Sequence, residues 1–183
     1  MAAPLIRRLA WPAAAVLALA FLATLALQGR RPDAGLVPFV AGGPLTAFAP
    51  AEARRVDIAS GGRTWLFRRV GEAWQPVAVA AAPAADAGTR IDEALRLLRD
   101  SAPLRVVAAD EMAGGVPAEF GLGGQPLAVV IEGPGGARFG IRFGATNPLG
   151  VARYAQVDGA RDVLLLATYV AEAWQRVLAG DTP

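Results

Sequence analysis

The sequence predicts an α+β domain, a mainly antiparallel sheet with two packing helices, preceded by one N-terminal transmembrane helix. Three observations predict it. Short runs of alternating apolar and polar residues are separated by glycine-rich turns. Two amphipathic stripes with the helical repeat each follow a set of such runs. Ahead of both, residues 9–27 pass nineteen positions without a charge.

That first segment makes a helix roughly 28 Å long, close to the roughly 30 Å hydrocarbon core of a bilayer. Backbone amides find no water there, so a helix is the only single segment that crosses. Arg7 and Arg8 precede it, and Arg30 and Arg31 follow. A cleaved signal peptide shares this pattern, with Thr24-Leu25-Ala26 as its cleavage site. The run exceeds the roughly 7–15 apolar residues of a signal peptide, which favours an uncleaved anchor. The free amino terminus and Asp33 favour the N-terminus inside, and long downstream domains translocate regardless of their own charge. The expected organisation is an anchor over residues 1–30, a Pro/Gly/Ala-rich extended tether over 31–53, and an exported α+β domain over 54–180.

Within the domain, residues 55–59 alternate with Val56 and Ile58 on one face, and Ser60-Gly61-Gly62 turns the chain. Residues 64–70 return with Trp65 and Phe67 two apart, and Gly71-Glu72 leads into a strand over 74–79. This is a three-stranded meander. Thr89 and Asp92 then have capping-box spacing. Ile91, Leu95 and Leu98 recur at the helical period, while Asp92, Glu93, Arg96 and Arg99 face outward. Asp100-Ser101-Ala102-Pro103 stops this helix, because the residue before proline resists helical angles. Residues 104–108 resume as a strand.

The second half repeats the plan. Strands over 127–132 and 138–143 flank a turn at 133–136, and residues 144–150 form a loop. Strands over 151–157 and 163–166 follow, joined through Asp158-Gly159. Thr168 caps a last helix whose Val170, Ala173, Trp174, Val177 and Leu178 share one face, ending at Gly180. Strands-then-helix occurring twice is the pattern an internal duplication would leave.

The residues that are missing restrict the chemistry. The eighteen basic residues are all arginine, and the chain has no lysine, histidine or cysteine. A Ser-His-Asp or Cys-His site, a usual zinc, haem or iron–sulfur centre, a P-loop and Schiff-base chemistry are therefore excluded. The adjacent carboxylates of Asp110 and Glu111 suit a solvated loop better than a cation site. The glycine runs at 121–124 and 133–136 complete no phosphate-loop motif and lead into no helix, so they are turns. The formal charge is only +2 and the arginines are scattered, which speaks against nucleic acid as a partner. No enzyme activity and no cofactor are expected.

Several motifs occur in a telling order. They are Val56-Asp57-Ile58, Phe67-Arg68-Arg69-x-Gly71-x-x-Trp74, Ala85-Asp86 before a helix with Leu97-Leu98, and Phe120-Gly121-Leu122 with a following Pro126. Phe143-Gly144-x-x-Asn147-Pro148-x-Gly150, Tyr154 and the strand Val163-Leu164-Leu165-Leu166 complete the set. Over about residues 54–178 the chain resembles the domain-of-unknown-function 4340 family. The resemblance implies an exported bacterial domain, commonly tethered by one N-terminal helix and often encoded beside ABC-type transporters of the gliding-motility-auxiliary kind. It implies no established activity.

Anchor, missing catalytic groups and resemblance together lead to one expectation. The chain is a single-pass inner-membrane protein held by residues 9–27, with a periplasmic, non-catalytic domain that contacts an ABC-type permease or other envelope protein. The expected contact surface is Asn147, Pro148 and Gly150 with Arg153 and Tyr154. Asn and Gly suit a turn needing unusual backbone angles, and Arg and Tyr are favoured interface anchors. The alternative is a small-ligand or glycan-binding module with the same loop as its polar mouth. A pseudopilin-like subunit would also pair an N-terminal helix with an exported α+β domain, but the chain lacks a Gly-Phe junction followed by Glu five residues on.

Overall fold

A computed structural model describes residues 18–22, 42–79, 83–112 and 118–179. Residues 18–22 are helical, with Leu19, Phe21 and Leu22 exposed. The rest of the expected 9–27 span lies outside the described residues. No helix among the described residues is long and apolar enough to cross a membrane.

The chain divides into two units, and the second, residues 39–183, is an α+β fold built on one eight-stranded sheet. Its strands are β1 (Arg55–Ser60), β2 (Arg63–Val70), β3 (Ala73–Val79), β4 (Arg105–Val107), β5 (Leu127–Glu132), β6 (Arg138–Thr146), β7 (Ala152–Val157) and β8 (Val163–Ala167). Helix α1 (Ala87–Asp100) follows β3 and α2 (Thr168–Leu178) follows β8. Strand order is β3-β2-β1-β5-β6-β7-β8-β4, and every neighbouring pair is antiparallel. Two meanders thus open outward from the central β1–β5 pair. Each has a register irregularity between its second and third strands, at Leu66/Phe67 and at Phe143/Thr146.

Alternation along the strands decides which face is covered. Val56 and Ile58, Trp65 and Phe67, Val129 and Ile131, and Ile141 and Phe143 point to one face and join a single core. Into that core α1 sends Ile91, Ala94, Leu95 and Leu98, and α2 sends Val170, Ala173, Trp174 and Val177. The helices are antiparallel. Arg90 near the start of α1 donates to the Arg176 carbonyl of α2 at 2.8 Å, and Ser101 at the end of α1 meets the Tyr169 hydroxyl at 3.2 Å.

Three local expectations are corrected. Thr89 does not cap α1, which starts two residues earlier behind Asp86; the Asp86 carboxylate instead pairs with Arg90 at 2.6 Å. Asp92 does not face outward into solvent but accepts from Trp74 Nε1 at 3.0 Å and pairs with Arg69, tying α1 to β2 and β3. Thr168 is the first residue of α2 and not its cap, and its hydroxyl donates to the Gly150 carbonyl at 3.2 Å.

The expected tether needs revision over residues 42–53, while residues 31–41 of it lie outside the described residues. Over residues 42–53 the chain is packed onto the domain, with Leu45, Phe48 and Ala53 in the core. The cause is the open end of α1, whose last carbonyls have no partner within the helix. Gly43 N donates to Arg99 O at 2.8 Å, Leu45 N donates to Leu98 O at 3.2 Å, and Arg99 Nη1 returns to Leu45 O at 2.9 Å. Gly43 is required by this approach, since a Cβ there would lie 2.1 Å from Leu98 O.

Candidate functional site

The expected contact residues sit where β6 turns into β7. Asn147 and Gly150 close a turn, with Gly150 N donating to Asn147 O at 2.9 Å. Gly150 has φ +76, a left-handed angle that side chains with a Cβ resist. The Asn147 side chain holds the strand after the turn. Its Oδ1 accepts from Val151 N and from Ala152 N, each at 3.1 Å. Thr168 fixes the turn from the other side, donating its amide to Val151 O and its hydroxyl to Gly150 O, each at 3.2 Å.

Arg153 and Tyr154 are brought next to this turn but are engaged within the domain. Arg153 Nε donates to the Gly144 carbonyl at 2.9 Å, across the β6–β7 irregularity. Tyr154 stacks on Phe120, with ring centroids 4.0 Å apart and planes 13° from parallel. Tyr154 stands directly across from Leu165, and Val107 from Val163, so these side chains share the sheet face opposite the helices. There Met112, Phe120, Leu122 and Val163 form a second, smaller core. Phe120-Gly121-Leu122 lies close over β6, because a Cβ on Gly144 would meet Phe120 O at 2.0 Å and one on Gly121 would meet Ala145 N at 2.8 Å. The motifs most distinctive in the sequence thus meet in one place and pack on one another.

What the turn offers outward is apolar. Leu149 is 80% exposed, more than any other large apolar side chain among the described residues, and Val151 is 59% exposed. Pro148 is exposed between them and Asn147. β7 begins, β8 ends and β4 begins at this same end of the sheet, since all three are antiparallel neighbours. Leu104 just before β4 and Tyr169 just after β8 are exposed there as well. Leu149, Val151, Leu104 and Tyr169 are exposed apolar residues that the sequence reading did not single out. A usable signal was present for Tyr169, which falls outside the buried stripe of its helix, and for Leu149, an apolar residue inside an Asn-Pro-x-Gly turn.

Two ionisable groups outside the turn are held by specific bonds. Glu111 closes the short turn after β4: Ala108 N donates to its Oε1 at 3.0 Å and Arg105 to its Oε2 at 2.8 Å. Both bonds, the backbone one first, favour the ionised carboxylate and hold Glu111 below its ordinary value of 4.5. Asp110 is exposed beside it and stays apart from this pairing. On β1, the hydrogen bond to Asp57 raises the Arg55 guanidinium above its ordinary value. Among the described residues no three His, Cys, Asp or Glu side chains converge as a metal-binding group.

No protein family, curated protein or solved structure matches the chain.

Proposed function

We propose that the chain is a membrane-anchored periplasmic accessory protein that works by contact and not by turnover, docking the end of its sheet onto an envelope transport complex of the ABC type. The observation that carries this reading is the exposure of Leu149 and Val151 on a turn whose backbone is bonded from both sides. Exposed apolar side chains grouped at one edge mark interaction sites, whereas single ones are ordinary. A fixed turn also loses little conformational freedom on binding.

Three further features support it. The uncharged run over residues 9–27 suits a single membrane crossing. The absence of His, Cys and Lys removes imidazole, thiolate and amine chemistry. The resemblance to an exported, transporter-associated family supplies the class of partner. Arg153 and Tyr154, expected both as contact anchors and as the polar mouth of a ligand site, are engaged by Gly144 and Phe120, so the contact reading rests on the exposed Leu149 and Val151 instead.

Gentle solubilisation of membranes followed by affinity isolation of the full chain tests this. A polytopic envelope transport protein should co-purify with the wild type and be lost from Leu149→Asp, while the variant's unfolding midpoint stays unchanged. Co-purification that survives both Leu149→Asp and Val151→Asp contradicts the proposed surface.

A further inference from the structure

At the opposite end of the strands, where β1 begins and β2 and β5 end, the sheet leaves an open cleft of about 600 Å³. Arg54, Arg55, Arg68 and Arg69 line it together with Glu52 and Glu132. Arg55 and Arg68 stand directly opposite each other in the β1–β2 register. Like charges in that position destabilise an antiparallel pair, so something must offset them.

The charges of the cleft are unequally matched. Arg55 is held by a two-pronged bond to Asp57, at 2.8 and 2.9 Å. Arg69 pairs with Asp92 and lies over the Trp74 ring, 4.6 Å from its centre. Glu52 closes the single 3-10 turn Pro50–Glu52, accepting from Ala49 N at 2.8 Å. Glu132 sits in register between Arg55 on β1 and Arg138 on β6. The Arg54 and Arg68 guanidinium groups are left over. Both residues are exposed, and neither side chain has a hydrogen bond or ion pair among the described residues. The floor beneath them is fixed, since Arg54 N donates to Glu132 O and Arg69 N donates to Arg54 O, each at 2.8 Å.

We propose that this cleft is a binding site for a phosphate group, held between the forked donors of Arg54 and Arg68 and oriented by the pinned Arg55. A guanidinium presents paired N–H donors that match phosphate oxygens, and a phosphate carries enough oxygens for two such forks at once. Its charge also adds to the offset that Asp57 and Glu132 already give the Arg55–Arg68 opposition. The phosphate belongs either to a small soluble ester or to a lipid headgroup, and both present the same oxygens to the cleft. This site is separate from the apolar surface at Leu149 and stands without it.

Full-length protein in nanodiscs of phosphatidylcholine, with arginine labelled by nitrogen-15, provides the test. Titration with inorganic phosphate should move the Arg54 and Arg68 Nε–H resonances saturably. Arg54→Gln or Arg68→Gln should weaken the midpoint, followed on the remaining arginine, by roughly tenfold or more. Arg96→Gln, on the exposed face of α1, should leave it unchanged. Movement seen only when the nanodisc contains phosphatidylglycerol assigns the site to a lipid headgroup. No saturable movement in either arm, or equal weakening by Arg96→Gln, overturns the proposal.

Discussion

Asn147 illustrates how one side chain can be both distinctive in sequence and inward-looking in structure. Its Oδ1 accepts two backbone amides, so it builds the turn and leaves Leu149 to present the surface. Asn147→Ala should cost about 1–2 kcal/mol through the loss of these bonds. Leu149→Asp should change stability by no more than about 0.5 kcal/mol, as exposed substitutions do. Urea unfolding of the two variants checks the division; equal losses would contradict it. The sequence could place Asn147, Gly150, Arg153 and Tyr154 near one another, because they lie within eight positions of one loop and strand. It could not show that Arg153 reaches Gly144 or that Tyr154 stacks on Phe120, since both contacts depend on tertiary approach.

Glu111 carries the clearest pH dependence. Its folded value is depressed, so the stabilisation it gives is present above 4.5 and fades as the pH falls through that depressed folded value. A carbon-13 titration of the Glu111 carboxyl should give a midpoint below 4.5 that returns toward it in Arg105→Gln. An unchanged midpoint in that variant would deny Arg105 its part.

At the scale of elements, period and turn chemistry are local properties, and the strands and helices they specify are found nearly where expected. β6 runs on to Thr146 because the β6–β7 irregularity lets it pair with Arg153 beyond the turn expected from the glycine at 144. The segment over residues 42–53 was illegible for a different reason. It has no secondary-structure period, and its partner is the far end of a helix about fifty residues later. Leu45 distinguishes the two descriptions. In a solvated tether Leu45→Ala would be nearly silent, whereas in the core it should cost on the order of 2–5 kcal/mol, with calorimetry or urea unfolding as the readout. A silent Leu45→Ala would return the segment to a tether.

Across the whole molecule, the sheet divides its tasks by face and by end. One face buries both helices, and the other carries a small core at one side and charged residues toward β1 and β5. One end exposes Leu149, Val151 and Tyr169, and the opposite end gathers unmatched arginines. Fold class was legible because it follows from patterning alone. The order β3-β2-β1-β5 was not, since nothing in an alternating strand names its neighbour about seventy residues away. The missing His, Cys and Lys restrict which chemistry the chain can carry without naming a function, and the surface that carries the proposal emerges only when β4, β7 and β8 are set side by side.

The end of the sheet bearing Leu149 is proposed to touch an envelope transport protein in the membrane. A photo-crosslinking amino acid at position 149 in intact cells tests it most directly, with position 96 on the outer face of α1 as the comparison. Position 149 should give a discrete cross-linked species, identified by mass spectrometry as a polytopic transport protein, and position 96 none. Uncross-linked protein alone from position 149, or the same products from both positions, would contradict it.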